Sequence, residues 1–352
     1  MGAEDTTFAL IKRYEELEAL YGDGPSGNFL SGWQCVNPWS ETVQRRIDSV
    51  RSGIDGSKYF YFDDDGLIAA SLSDLHRDVD GVAPQSILCG EGASSLIFTF
   101  CAWLRQTEVT EIFYVPPLYF TFHYALRLFG IHARPVAGKH SFEAGVVWNL
   151  PTATAVLLVC DPVWYAGIPL GEAQVARLID WQRTTGSVII VDGSFQYMRW
   201  NDTLRESTAH LDLDRTMRLI CPTKSLAVHG YRFAYATVPA IWRNDLSVMH
   251  SNSYGSVAAD NMAFAKVAAS LLRERRVTAS LMQLTSERHR ALRASRKIAA
   301  AWQPACGYFI FERIIAPLLS DVPLMDGSYF EQRRYEDHVR INLLSPSISI
   351  LG

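Results

Sequence analysis

Five short apolar runs, each followed by a helical stretch, constrain this chain more than any other feature. They are Ser86 to Cys89, Glu111 to Val115, Thr154 to Cys160, Ser187 to Asp192 and Thr216 to Cys221. The runs are continuous rather than alternating, which predicts strands buried on both faces, and the intervening helices supply the crossovers that parallel neighbours need. The expected fold is therefore α/β, a mostly parallel sheet sandwiched by helices. Ligands of such sheets gather at the carboxyl ends of the strands. Gly90 to Ser95, Tyr119, Asp161, Asp192 and Lys224 all fall just beyond those ends. Five strand ends thus point to one crevice.

On either side of this core the pattern changes. Phe8, Ile11, Tyr14, Leu17 and Leu20 predict an amphipathic helix over roughly 6–21, closed by Gly22 and Gly24. An irregular stretch from Asn28 to Trp39 has the composition of a lining, and Ser40 is the expected N-cap of a helix carrying Val43, Ile47 and Val50. From about Asp245 the chain reads as helical, and it closes on two strand-like runs, Cys306 to Glu312 and His338 to Leu344. The predicted organisation is an N-terminal segment (1–45) joining a smaller α+β domain (245–352), with a large domain (46–244) between them.

Charge excludes some partners. A net charge of −4 with no basic cluster argues against nucleic acid, and no apolar run approaches the ~20 residues of a membrane helix. The six cysteines are scattered, without a C-x-x-C pair or Cys/His metal spacing, so they are expected to be reduced and no metal site is expected. The start of the chain lacks a charged-then-apolar signal, and a cytoplasmic protein is expected.

The stretch from Arg218 to Tyr235 holds the strongest chemical candidate. Lys224 follows an apolar run among small and apolar neighbours, and Arg232 follows eight residues later. A lysine so placed is suited to Schiff-base chemistry, although a lysine in a loop is most often simply solvated. Tyr119 taken alone reads more readily as core, and Asp192 as a cap at a strand end.

Taken together and in order, these segments resemble the fold-type I pyridoxal-phosphate enzymes, specifically the class I and II aminotransferases and their histidinol-phosphate aminotransferase-like branch. Tyr61-Phe-Asp-Asp-Asp-Gly66 is similar to the segment whose tyrosine reaches the cofactor phosphate of the neighbouring subunit. Gly90-Glu-Gly-Ala-Ser-Ser resembles the glycine-rich turn, so Gly92, Ala93 and Ser94 are expected at the phosphate, where a helix N-terminus favours an anion. Pro116-Pro-Leu-Tyr119 resembles the family's Pro-x-Tyr, which implies that Tyr119 stacks on the pyridine ring. The resemblance further gives Asp192 to the pyridine nitrogen, Thr223 and Arg232 to the phosphate, Lys224 to the Schiff base and, in Val339-Arg340-Ile-Asn, Arg340 to the substrate carboxylate. Trp33 is expected beside the substrate, with Trp39, Phe120 and Trp164 as further aromatic lining.

Two positions depart from the family pattern. Asp161-Pro-Val-Trp-Tyr-Ala-Gly167 places Trp164 where the family has asparagine, and Asp192-Gly-Ser-Phe195 places phenylalanine where it has tyrosine. Both usual donors to the cofactor's phenolic oxygen are replaced, with Tyr165, Tyr197 and the Trp164 indole as candidate substitutes. The implied function is a homodimeric aminotransferase acting on an amino acid with pyridoxal 5′-phosphate, the neighbour's site being completed by Tyr61 and by a loop over Ser251 to Gly255. A lyase, decarboxylase or cyclase of the same chemistry is the alternative. A ligand-sensing module without turnover is the alternative of another class.

Overall fold

The computed structural model describes Lys12, Glu15 to Leu17, Ala19 and residues 30–62, 66–201, 207–316, 324–326 and 335–348. The N-terminal helix expected over 6–21 therefore lies largely outside the described residues, as do Asp63 to Asp65 after Tyr61.

Seven strands form the large sheet: β1 (Ser86–Gly90), β2 (Glu111–Tyr114), β3 (His132–Pro135), β4 (Val156–Cys160), β5 (Val188–Gly193), β6 (Thr216–Ile220) and β7 (Ala234–Val238). Their spatial order is β1-β7-β6-β5-β4-β2-β3. Pairings from β6 to β3 are parallel, whereas β7 runs antiparallel to both β1 and β6. All five runs expected from the sequence are strands. Two further strands carry weaker signals: β3 is a partly exposed edge strand ending in proline, a residue tolerated at edges, and β7 (Ala-Tyr-Ala-Thr-Val) is alanine-rich.

Alternation along the strands explains why their runs are continuously apolar. Leu158, Ile190, Met217 and Leu219 enter one buried cluster with Leu96, Phe100 and Leu246; Leu157, Val159, Ile189 and Val191 enter another with Val175, Leu178 and Trp181. Successive residues point to opposite faces, and helices cover both. One side carries α3 (Ala93–Gln106), α4 (Phe120–Leu128) and α7 (Ala240–Tyr254); the other carries α5 (Glu172–Thr185). Before these helices in the chain come α1 (Ser40–Arg51) and α2 (Leu67–Asp80), between α5 and α7 lies the single turn α6 (Pro222–Ser225), and after them come α8 (Ala259–Glu274) and α9 (Arg276–Ala294). Ser40 is the first residue of α1 rather than its cap, which is Trp39; Asn37 instead takes the Trp39 N–H on its Oδ1 and donates to the Leu226 carbonyl at 2.7 Å. The stretch over Ser251 to Gly255, expected as a loop, is the last turn of α7 and its cap.

A second sheet has the order β8-β10-β9, formed by β8 (Phe309–Arg313), β9 (Met325–Asp326) and β10 (His338–Asn342), all antiparallel. Residues 30–37 strap across from it. The Leu30 carbonyl accepts from Asn342 N, Val36 N donates to the Leu344 carbonyl, and Asn342 Nδ2 donates to the carbonyls of Gly32 and Gln34.

Candidate active site

Lys224 sits in the turn directly after β6, its N–H on the Cys221 carbonyl at 3.0 Å, with Ser225 anchored to the Gln196 carbonyl at 2.9 Å. Because β5 and β6 are parallel neighbours, the Asp192 strand end lies beside this turn. The Asp192 carboxylate is buried and accepts the Ser194 N–H at 3.0 Å and its hydroxyl at 2.5 Å. Asp161, at the next strand end, is committed to structure: its two oxygens hold Leu170 N and the Thr208 hydroxyl, each at 2.9 Å.

Because β7 runs antiparallel to β1 and β6, it begins at the edge where they end, with Gly90 paired to Ala234 and Ile220 to Tyr235, and Arg232 lies two residues before it. Arg232 therefore arrives next to the end of β1, where Gly92 caps α3. Gly92 has φ +80°, and a Cβ there would stand 2.6 Å from Arg232 Nη2. Only glycine allows this approach of guanidinium to helix N-terminus. The first-turn N–H groups at Ala93 and Ser94 have no intrahelical acceptor, and with the arginine they form a cradle for an anion. Thr223, buried beside Lys224, lies in the same turn.

Aromatic faces enclose the Lys224 amine. Nζ lies 4.7 Å from the ring centroid of Phe195, 5.2 Å from Trp33 and 5.6 Å from Tyr119. Burial pushes the Tyr119 hydroxyl up to about 12; the Asp192 carboxylate adds to that rise, while Thr121 and Arg340 oppose it. Trp164 packs edge-on to Tyr119 at 5.1 Å and stacks on Trp33 at 5.9 Å. Phe120 meets Trp164 at 5.9 Å, and Trp39 packs on the same core.

Arg340 comes from β10 of the second sheet, and its side chain is fully buried. Nε donates to the Ser31 carbonyl at 3.0 Å and Nη2 to the same oxygen. The guanidinium carbon lies 4.6 Å from the Phe309 ring, 4.8 Å from Trp33 and 5.4 Å from Trp164. Trp33 is thus shared by Lys224 and Arg340, from opposite ends of the sequence. Ser31 and Phe309 carried no signal in the sequence: Ser31 pairs with Arg340 in both directions, its carbonyl accepting from the guanidinium and its hydroxyl donating to the Arg340 carbonyl at 2.5 Å, and Phe309 is one apolar strand residue among several.

Two candidate substitutes for the missing donors are committed elsewhere. The Tyr165 hydroxyl is 3.0 Å from His140 Nδ1. That of Tyr197 lies 3.1 Å from His76 Nδ1, in a buried group with Asp80 and Tyr235. Of the three, the Trp164 indole remains beside Tyr119 and Arg340. Tyr61 stands at the surface, 40% exposed. Among the described residues no group of His, Cys, Asp and Glu could hold a metal ion, and no helix is long and apolar enough to cross a membrane.

The chain matches the family described as Aminotransferase class I and II over residues 27–345. It belongs to that family. Pyridoxal phosphate is the family's cofactor, so this chain is a pyridoxal-phosphate-dependent aminotransferase acting on amino acids. Solved aminotransferase structures share its fold along nearly the whole length. N-succinyldiaminopimelate aminotransferase from Mycobacterium tuberculosis superposes with a TM-score of 0.77 at 16% identity, covering 96% of each chain. YbdL from Escherichia coli, reported with a methionine aminotransferase function, gives 0.76 at 14% identity, covering 97% of this chain and 95% of its own. Aspartate aminotransferase from Rhizobium meliloti gives 0.75 at 15% identity, covering 98% and 93%. No curated protein matches the sequence. The family match does not single out the histidinol-phosphate aminotransferase-like branch, and it does not favour the lyase, decarboxylase, cyclase or sensing alternatives. The Gly92–Arg232 cradle, the buried Asp192 and the enclosed Lys224 amine fit pyridoxal phosphate: an anion seat, a carboxylate for a ring nitrogen and an amine for an aldehyde.

Proposed function

We propose that Lys224 is the catalytic lysine and that Arg340 holds the α-carboxylate of the donor amino acid. The single observation that carries this reading is the shared Trp33 ring, with Lys224 Nζ at 5.2 Å and the Arg340 guanidinium at 4.8 Å. An amino acid presents its amine and carboxylate on one carbon, and the two cations lie against one ring. When bound, pyridoxal phosphate supplies the electron sink that lets the substrate α-carbon give up its proton. Lys224 Nζ takes that proton and returns it one carbon away, as general base and then general acid. Asp192 keeps the ring nitrogen protonated; Gly92, Ala93, Ser94, Thr223 and Arg232 bind the phosphate; Tyr119 covers the ring. Arg340 acts by charge-assisted hydrogen bonds to the carboxylate, and the walls around it exclude water.

The exposed Tyr61 and the partly exposed Tyr254 at the end of α7 support a homodimer in which each chain completes its neighbour's site. Six free, scattered cysteines support a reducing, cytoplasmic setting. The domain division at residue 244 is supported by the change from the large sheet to the small one, whereas residue 45 lies within α1. The decisive experiment is borohydride reduction of the purified protein with pyridoxal phosphate, followed by peptide mapping. A yellow protein with the label on Lys224 is expected. Label on another lysine, or a protein that takes up no cofactor, would overturn the assignment.

A further inference from the structure

Away from the lysine pocket, an open cavity of about 330 Å³ lies between α9 and the chain just beyond Phe195. None of Lys224, Asp192, Arg232, Arg340 and Trp33 lines it. One wall is a single face of α9: Thr278, Met282, Ser286 and Arg290 follow at intervals of four, which stacks them along the helix. Arg275, the residue between α8 and α9 with φ +57°, stands at the head of that face. Arg199 and Trp200 form the opposite wall, and backbone bonds fix it. Arg199 bridges to Cys306, Trp200 N donates to the Ala305 carbonyl at 2.9 Å, and the Trp200 indole donates to the Gly307 carbonyl at 2.7 Å. Both walls are therefore set by the fold, and the space between them is wide enough for a small ligand.

A helix face that packs on its neighbour is ordinarily apolar. This one is polar and cationic. The lining holds three arginines, Arg199, Arg275 and Arg290, and among the described residues no carboxylate. Arg199 and Arg275 are half-buried, where salt screens less, and each also has an interaction within the protein. A guanidinium carries five N–H donors, so it can keep such a partner and still serve a ligand. The positive end of the α9 dipole adds to the same field beside Arg275 and Thr278.

We propose that this cavity is a second ligand site, separate from the catalytic one, for a compact polyanion whose charge comes from phosphate or carboxylate groups. Guanidinium groups meet such oxygens with charge-assisted and often bidentate hydrogen bonds. A single carboxylate would leave most of the positive charge unanswered, so the ligand carries more than one anionic group. Trp200 and Met282 offer its carbon skeleton an apolar surface.

Titration calorimetry of the cofactor-loaded protein with pyrophosphate tests the proposal, and citrate run alongside separates the two sources of charge. Loading the cofactor first fills its own phosphate seat. At least one of the two probes is expected to bind at one ion per chain, with an affinity that falls as sodium chloride rises. Arg290→Glu changes an exposed position and should weaken that binding about tenfold or more. Arg199→Ala should weaken it in the same direction, and Arg340→Ala should leave it unchanged. Binding that survives Arg290→Glu, or that is lost in Arg340→Ala, puts the ion elsewhere and overturns the proposal. So does the failure of both probes to bind in the millimolar range. If Arg199→Ala does not fold, Arg290→Glu alone decides. The site does not rest on the roles proposed for Lys224 and Arg340: borohydride label on another lysine would refute those and leave this binding as it is.

Discussion

Under the site, position is fixed by backbone: Asp192 ends β5, Lys224 follows β6, and Gly92 meets Arg232 where β1 pairs with β7. At the rim, Arg340 arrives from another sheet and meets Ser31 and the faces of Trp33, Trp164 and Phe309. The difference teaches where this chain can vary. Parallel strand ends leave the floor little freedom, whereas a rim of packed rings can change its members and keep its shape. Both departures from the family pattern, Trp164 and Phe195, are aromatic rings that face the cations. A site can therefore keep its lysine and its Gly92–Arg232 cradle while its rim is rebuilt from packing.

The largest expected effect breaks the rim. Arg340→Ala should weaken amino-acid binding by about 2–5 kcal/mol, roughly 30-fold to several thousand-fold, while cofactor still binds. Amino acids compared with simple amines in a spectral binding assay give the measurement. Equal loss for both would mean that the arginine supports the fold rather than the carboxylate.

The floor was legible in the sequence because its residues follow strand signals that are themselves strong. Lys224, Asp192 and Tyr119 each stand just after a continuous apolar run or a Pro-x-Tyr turn, and the structure brings them together. Arg232 was legible from its spacing, but the reason for the spacing was not, because β7 gave too weak a signal to reveal a reversed strand. The rim was harder to read. Trp33 reads as lining in the sequence, yet its contact with both cations depends on an irregular strap bonded through Asn342 and Asn37, whose pairing no periodicity encodes. The hydroxyls of Tyr165 and Tyr197 looked available in the sequence and are held by His140 and His76 in the fold.

A smaller effect is expected at the floor. Gly92→Ala places a methyl at φ +80° against Arg232, forcing the guanidinium to swing aside. The loss of a charge-assisted contact to phosphate, about 1.5–3 kcal/mol, should raise the cofactor dissociation constant tenfold or more. Equilibrium dialysis would show it, and unchanged affinity would remove the cradle from the phosphate.

The smallest effect joins the two regions. Phe195→Tyr adds a hydroxyl facing the lysine, and a donor to the cofactor's phenolic oxygen favours the deprotonated form of the chromophore. Its spectroscopic pKa should fall by up to about one pH unit, the worth of one net hydrogen bond. A spectral titration with an unmoved midpoint would show that residue 195 does not face that oxygen, and would leave the Trp164 indole as the group to substitute next.

The reversed strand has a consequence for how the protein assembles. Gly92 and Arg232 become neighbours only when residues 86–90 pair with residues 234–238, among the most distant pairings in the sheet by sequence. Closing so long a loop is slow and entropically costly, and such contacts form late in folding. Chains that have paired only β4, β5 and β6 already present Asp192 and the lysine turn, but have no anion seat. On the proposed assignment of Gly92 and Arg232 to the phosphate, its capture on a growing or refolding chain is a late event, and the bound cofactor would act as a clasp on the last edge to close.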